Sequence, residues 1–125
     1  MARRVAVMVD DEVLRTLFCE IIELNGYEPA VLFPPDQALV QLTSRATDAL
    51  ILDVRLMDKD PGWGLLDAVR HEPSTATLPV ILLTADADRR RIKRQTGINS
   101  DCHLMRKPFG FVEISAMLAT VLGEQ

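Results

Sequence analysis

Several things are scarce in this chain, and each scarcity removes a class of protein. There are two cysteines, Cys19 and Cys102, far apart, with no CxxC pair and no histidine at metal-ligand spacing. A disulfide scaffold and a zinc site are therefore disfavoured, and both thiols read as small apolar fillers of a reduced chain. No apolar run approaches the roughly 18 residues needed to span a bilayer. The opening "MARRVAVMVDDE" turns acidic before a signal-type apolar core could form, so the expected location is cytoplasmic. Basic excess is also missing. The formal net charge is -4 with 26% charged residues, which argues against nucleic acid as the main ligand. One basic run, "RRRIKR" (Arg89, Arg90, Arg91, Ile92, Lys93 and Arg94), has no interleaved aromatics and no helix-turn-helix around it.

What is present is apolar residue in quantity and in order. A length of 125 residues with 48% apolar content suffices for one hydrophobic core, so residues 1–125 are expected to form one domain. "RRVAVMV" reads as a strand that stops at Asp10, Asp11 and Glu12. Val13, Leu14, Leu17, Phe18, Ile21, Ile22 and Leu24 then recur at helical spacing until Gly26 supplies a stop. "EPAVLF" is a weaker strand suited to a sheet edge, because Pro29 removes a ladder donor. "PPDQALVQLTSR" follows as a helix, and the alternation continues through "ALILDV", "GLLDAVRHE", "LPVILLTA", "DADRRRIKRQT", "CHLMRK" and "FVEISAMLATVLG". Strict strand–helix alternation predicts an α/β fold, a parallel sheet of five strands with helices on both faces.

In open parallel sheets ligands bind beyond the carboxyl ends of the strands. The predicted strands deliver Asp10 and Asp11, Asp53, Thr84 and Lys107 to that edge, while the second ends in "LFPP". Three carboxylates drawn together repel unless a cation neutralises them. Mg²⁺ suits such a place, being a hard ion held by one or two carboxylates, waters and a phosphate oxygen. Asp53 is then placed to act as a nucleophile toward a phosphoryl group. Lys107 as a point charge and the Thr84 hydroxyl as a donor can neutralise that group from the other side, and the Ala85 N–H leaves room for a phosphoryl oxygen.

Together "VMVDDE", "LILDVRL", "VILLTAD" and "RKPF", each closing an apolar strand, resemble the response-regulator receiver domain of two-component signalling over essentially the whole chain. The resemblance implies a flavodoxin-like three-layer α/β/α sandwich with strand order 2-1-3-4-5. It also implies a phosphoacceptor at Asp53, and a Mg²⁺ site of Asp10, Asp11, Asp53 and the backbone carbonyl of Arg55. Of the acidic pair Asp11 would be the closer ligand; Thr84, Ala85 and Lys107 would contact the phosphoryl group, and the Lys107–Pro108 bond is of a kind often cis in such domains. The implied partners are a sensor histidine kinase or phosphotransfer protein, and a downstream protein or second copy on the face of the fourth helix, fifth strand and fifth helix. Arg89, Arg90, Arg91, Lys93 and Arg94 belong to that face. Such a domain assists its own phosphorylation and hydrolysis without turning over a separate substrate.

The chain departs from the family pattern in two places. Met57 and Pro61 stand where the family usually has Pro and Gly, with the nearest glycine at Gly62, so the loop after Asp53 reads as one residue longer. Leu104 stands where a switching Tyr or Phe is common, and His103 falls on the opposite face of a regular strand. Plainer readings lie beside these. Asp10 and Asp11 could cap a helix, and the basic run could be a solvated helix face. Asp48, Asp58 and Asp60 read as solvated loop acids, His71 as surface, and Trp63 as a hydrophobic contact opening the third helix. Two other functions stand against the phosphoswitch. One is a pseudo-receiver that binds partners without phosphorylation; the other is a haloacid-dehalogenase-like phosphatase, which would need an acid where Arg55 stands and room for a cap. Because the chain stops soon after the last helix, at "LGEQ", no output domain is expected within it.

Overall fold

The strand "ALILD" (Ala49–Asp53), β3, is buried at all five positions, which is possible only for a strand covered on both faces. In the computed structural model, residues 3–32, 37–53, 61–84, 102–106 and 109–123 are described, with backbone alone at 61–63 and 84. Around β3 lie β1 (Arg4–Met8), β2 (Glu28–Val31), β4 (Val80–Thr84) and β5 (Cys102–Arg106), all parallel, in the order β2-β1-β3-β4-β5. The helices are α1 (Glu12–Leu24), α2 (Ala38–Ser44), α3 (Pro61–His71) and α4 (Phe111–Val121). The predicted helix over "DADRRRIKRQT" lies outside the described residues. Pro29 does sit on an edge strand, where its missing N–H costs no ladder bond.

Alternation along the strands sorts the core into two layers. Ala6, Met8, Leu50, Leu52, Val80 and Leu82 pack with Ala38 and Leu42 of α2 and Leu65, Leu66 and Val69 of α3. Val5, Val7, Ala49, Ile51, Ile81, Leu83 and Met105 pack with Phe18, Ile21 and Ile22 of α1 and Ile114 and Leu118 of α4. Each Val, Leu, Ile, Phe or Met among them contributes roughly 1.5–3 kcal/mol on burial, so the central strands carry much of the stability.

α1 shows how its ends are set. Asp11 caps it in extended conformation, its Oδ1 accepting from the N–H of Val13 at 2.9 Å and of Leu14 at 3.1 Å. At the far end Gly26 takes φ +84°, the Gly26 N–H donates to Glu23 O at 3.0 Å, and the Tyr27 N–H donates to Ile22 O at 3.1 Å. That is a Schellman stop, with Tyr27 and Ile22 meeting in the same apolar layer. The predicted apolar face of α1 was too broad. Phe18, Ile21 and Ile22 are buried and Leu14 packs on them, but Val13 is 81% and Leu24 74% exposed, because one helix buries only one stripe.

α3 begins at Pro61, three residues before the predicted "GLLDAVRHE", as a proline suited to the first helical turn allows. At the opposite edge of the sheet, polar groups close loops. Asp48 Oδ2 accepts from the Arg4 N–H at 2.7 Å, Arg70 Nη1 donates to Leu78 O at 2.6 Å, and the buried Thr75 hydroxyl donates to Val69 O at 2.7 Å. Asp48 is thus exposed as expected but tied to β1. His71 is exposed, with its Nδ1 3.5 Å from Asp67 Oδ1 one turn earlier. Among the described residues no helix is long and apolar enough to cross a membrane.

Candidate functional site at the carboxyl edge of the sheet

Register fixes what stands beside Asp53. It aligns with Leu83 of β4, which aligns with Met105 of β5. On the other side Leu52 aligns with Met8, so Val9, the residue that follows β1, falls beside Asp53. Asp53 therefore closes a row of apolar residues and is itself only 4% exposed, the one buried acidic or basic side chain among the described residues. One row further come Asp10, half-buried, and the Thr84–Arg106 pair. Asp53 continues the alternation of Ala49 and Ile51, which places its side chain on the face that α1 and α4 cover.

Asp11 has a role that the sequence left as the lesser alternative. Its Oδ1 is engaged by both amides of the first turn of α1. Because this carboxylate is exposed and belongs to the site edge, an ion bound there would draw on the same group that caps the helix. Among the described residues no three His, Cys, Asp or Glu side chains are grouped closely enough to form a metal cage. The donors that are present, a buried Asp53 with a half-buried Asp10 in the next row and an exposed Asp11 beyond, fit an ion held by one or two carboxylates with water completing its shell, as Mg²⁺ is.

Arg15 is a residue that sequence reading missed. Its backbone N–H donates to Asp11 O at 2.8 Å, and its Nη1 reaches back to Val9 O at 3.2 Å. A cationic group is thereby bound to the strand end beside Asp53. The signal was available in "DDEVLR": four residues after a helix-capping Asp, a long side chain lies over the preceding turn and can meet the strand it came from.

On the other flank, Phe109 of "RKPF" packs on Phe18, ring centroids 5.5 Å apart and planes tilted by 54°. Gly110 then begins α4, its N–H donating to Glu113 Oε1 at 2.7 Å. Leu104 is 44% exposed and has the alternation of Cys102, opposite to His103 and Met105. Thr84 ends β4 as predicted. Arg55, Ala85, Lys107 and the Lys107–Pro108 bond, Met57, Asp58, Asp60 and Arg89 to Arg94 lie outside the described residues. Cys19 and Cys102 are not joined in a disulfide, and both are half-buried. Burial pushes the Cys19 thiol pKa up, Glu23 adds to the rise, and Arg15 opposes it.

The family model for the response regulator receiver domain matches residues 5–119, from the second residue of β1 through most of α4. The chain belongs to the response regulator receiver family. This receiver is 30% identical over 125 residues to the phosphate regulon transcriptional regulatory protein PhoB of Escherichia coli, covering 98% of the chain and 52% of that protein. The receiver thus spans about half the length of the PhoB relatives it matches. Among solved structures, the receiver domain of the sensor histidine kinase PA1611 of Pseudomonas aeruginosa superposes with a TM-score of 0.82 at 25% identity, covering 99% of this chain and all of that one. That neighbour holds a magnesium ion coordinated in its active-site cleft. The chemotaxis response regulator CheY4 of Vibrio cholerae shares the fold, with a TM-score of 0.84 at 21% identity over 98% of this chain and all of that one. The flavodoxin-like strand order expected from the receiver resemblance is the order observed.

Proposed function

We propose that residues 1–125 act as one receiver domain that is phosphorylated on Asp53 in a Mg²⁺-dependent reaction and works as a signalling switch. The observation that carries this reading is the burial of Asp53: a carboxylate 4% exposed, closing a wholly apolar strand at the edge where receivers do their chemistry. A charge is kept in such a place for a purpose other than stability. Asp53 attacks the phosphorus of a phosphohistidine on a histidine kinase or phosphotransfer protein, or of a small phosphodonor such as acetyl phosphate. The new O–P bond forms as the bond to imidazole nitrogen or acetate oxygen breaks, and the electron pair leaves with that group. Water later attacks the acyl phosphate, returning Asp53 and inorganic phosphate.

The residues divide the work by chemical type. Asp10, Asp11, Asp53 and the Arg55 carbonyl would hold Mg²⁺, which supplies neutralisation of the phosphoryl oxygens. Lys107 supplies a fixed positive charge, and the Thr84 hydroxyl and Ala85 N–H donate to the phosphoryl group. The partner downstream meets the surface containing Arg89, Arg90, Arg91, Lys93 and Arg94, in the cytoplasm. The switch itself turns over no separate substrate. The test is incubation with Mg²⁺ and acetyl phosphate, followed by intact-mass measurement. Wild type should gain one phosphoryl group and Asp53→Asn none; an adduct of unchanged yield in Asp53→Asn overturns the assignment. Hydrolysis of a phosphate ester without an adduct would favour the phosphatase instead.

A further inference from the structure

Two carboxylates and a capping Asp at one edge draw attention to acids, yet a cation is already tied among them. The Arg15 side chain springs from the second turn of α1 and binds the Val9 carbonyl at 3.2 Å, part-buried. Val9 precedes Asp10 directly and stands beside Asp53 in the register, with neighbouring strands about 4.8 Å apart. Asp53 and α1 lie on the same face of the sheet, since Ala49 and Ile51 share an apolar layer with Phe18, Ile21 and Ile22. The guanidinium is thus anchored within a few ångströms of the strand ends that carry the acids. The same charge opposes the upward shift of the Cys19 thiol, one turn further along α1.

We infer that Arg15 is a charge-balancing positioning residue of this site: held on the Val9 carbonyl, it weakens Mg²⁺ binding to the resting site and favours the phosphorylated form. This inference rests on the phosphoacceptor reading above. The direction follows from sign alone. A fixed positive charge repels an incoming divalent cation but favours phosphorylation, which turns a singly charged carboxylate into an acyl phosphate carrying about two negative charges, a net gain of about one. Without Arg15 the resting site binds Mg²⁺ more tightly and the phosphorylated site is less favoured. One unit charge acting over several ångströms near a protein surface is worth on the order of three- to tenfold in either equilibrium.

A plain structural role, bracing β1 to α1, predicts something else: loss of stability with no gain in Mg²⁺ affinity. Two substitutions separate the alternatives. Arg15→Gln keeps a donor for the Val9 carbonyl and removes the charge; Arg15→Lys keeps the charge and changes the donor. Mg²⁺ binding to the unphosphorylated protein is measured by calorimetry with MgCl₂, thermal unfolding is followed without metal, and phosphorylation by acetyl phosphate at saturating Mg²⁺ is read by intact mass. Arg15→Gln should bind Mg²⁺ about three- to tenfold more tightly and reach a lower phosphorylated fraction, while Arg15→Lys stays near wild type in both. In about 1 M salt, where screening extends over only about 3 Å, the difference between Gln and wild type should shrink. Mg²⁺ affinity in Arg15→Gln equal to or weaker than wild type overturns the inference, as does a Lys variant that behaves like Gln. If wild type gains no phosphoryl group, or Asp53→Asn still gains one, it is the phosphoacceptor reading that fails, whatever Arg15 does.

Discussion

Two aspartates bracket β3, and their surroundings could hardly differ more. Asp48 precedes the strand, is exposed, and accepts the Arg4 N–H at 2.7 Å. Asp53 ends the strand and is buried, with Val9 and Leu83 beside it. One residue type, five positions apart at the two ends of one strand, closes a loop at one edge of the sheet and stands at the candidate chemical centre at the other. The cause is the parallel sheet. All strand starts gather at one edge, where short connections enter, and all strand ends gather at the other, where acids from different strands converge. An acid is therefore read by the edge it occupies, and burial is the measure that tells the two edges apart.

The largest effect that would break this comparison is chemical. Asp53→Asn should abolish phosphoryl transfer from acetyl phosphate as read by intact mass, and Asp48→Asn should leave the adduct at wild-type yield; equal loss in both would erase the distinction between the edges. Next in size is the strand between them. Ile51→Ala opens a cavity in a position of zero exposure and should cost about 2–5 kcal/mol in urea unfolding. A smaller effect belongs to Asp48→Ala, which removes one exposed hydrogen bond and should cost about 0.5–1.5 kcal/mol in the same assay without altering phosphorylation. The smallest sharpens the electrostatics near Arg15. With the Cys19 thiol pKa raised chiefly by burial, alkylation by iodoacetamide in a Cys102→Ser background should be slower at pH 8 than for a free thiol and rise with pH. The linked stability is fully present at neutral pH, where both states hold the proton, and is lost as pH rises through the folded thiol's raised pKa. Arg15→Gln should slow the reaction further, because Arg15 opposes the shift.

Much of this was legible in the amino-acid order because it is local or periodic. The apolar runs of β3 and β4 announce strands covered on both faces, Pro29 announces an edge, and Gly26 announces the end of α1; each is dictated by backbone chemistry within a few residues. Asp53 was found the same way, as the polar residue that closes an apolar strand. What was not legible depends on three-dimensional neighbours. Val13 and Leu24 share the helical spacing of Ile21 and Ile22 yet face water, since spacing does not reveal how wide a stripe the sheet can cover. Asp11 was weighed as a ligand first and a cap second, and the cap made by its Oδ1 depends on how the chain turns from β1 into α1. Arg15 was passed over, because the spacing in "DDEVLR" becomes a contact from side chain to strand carbonyl only through the way α1 leaves β1.

The cap on α1 has one more consequence. A single oxygen of Asp11 holds the amides of Val13 and Leu14, so anything that draws that oxygen toward the sheet edge frees two donors and loosens the first turn, at a cost of about 1 kcal/mol. Hydrogen exchange at those two amides is then a built-in gauge. Fast exchange registers a carboxylate pulled off the helix, and slow exchange one still seated on it, so that occupancy at the edge can be read from the helix without observing the ligand.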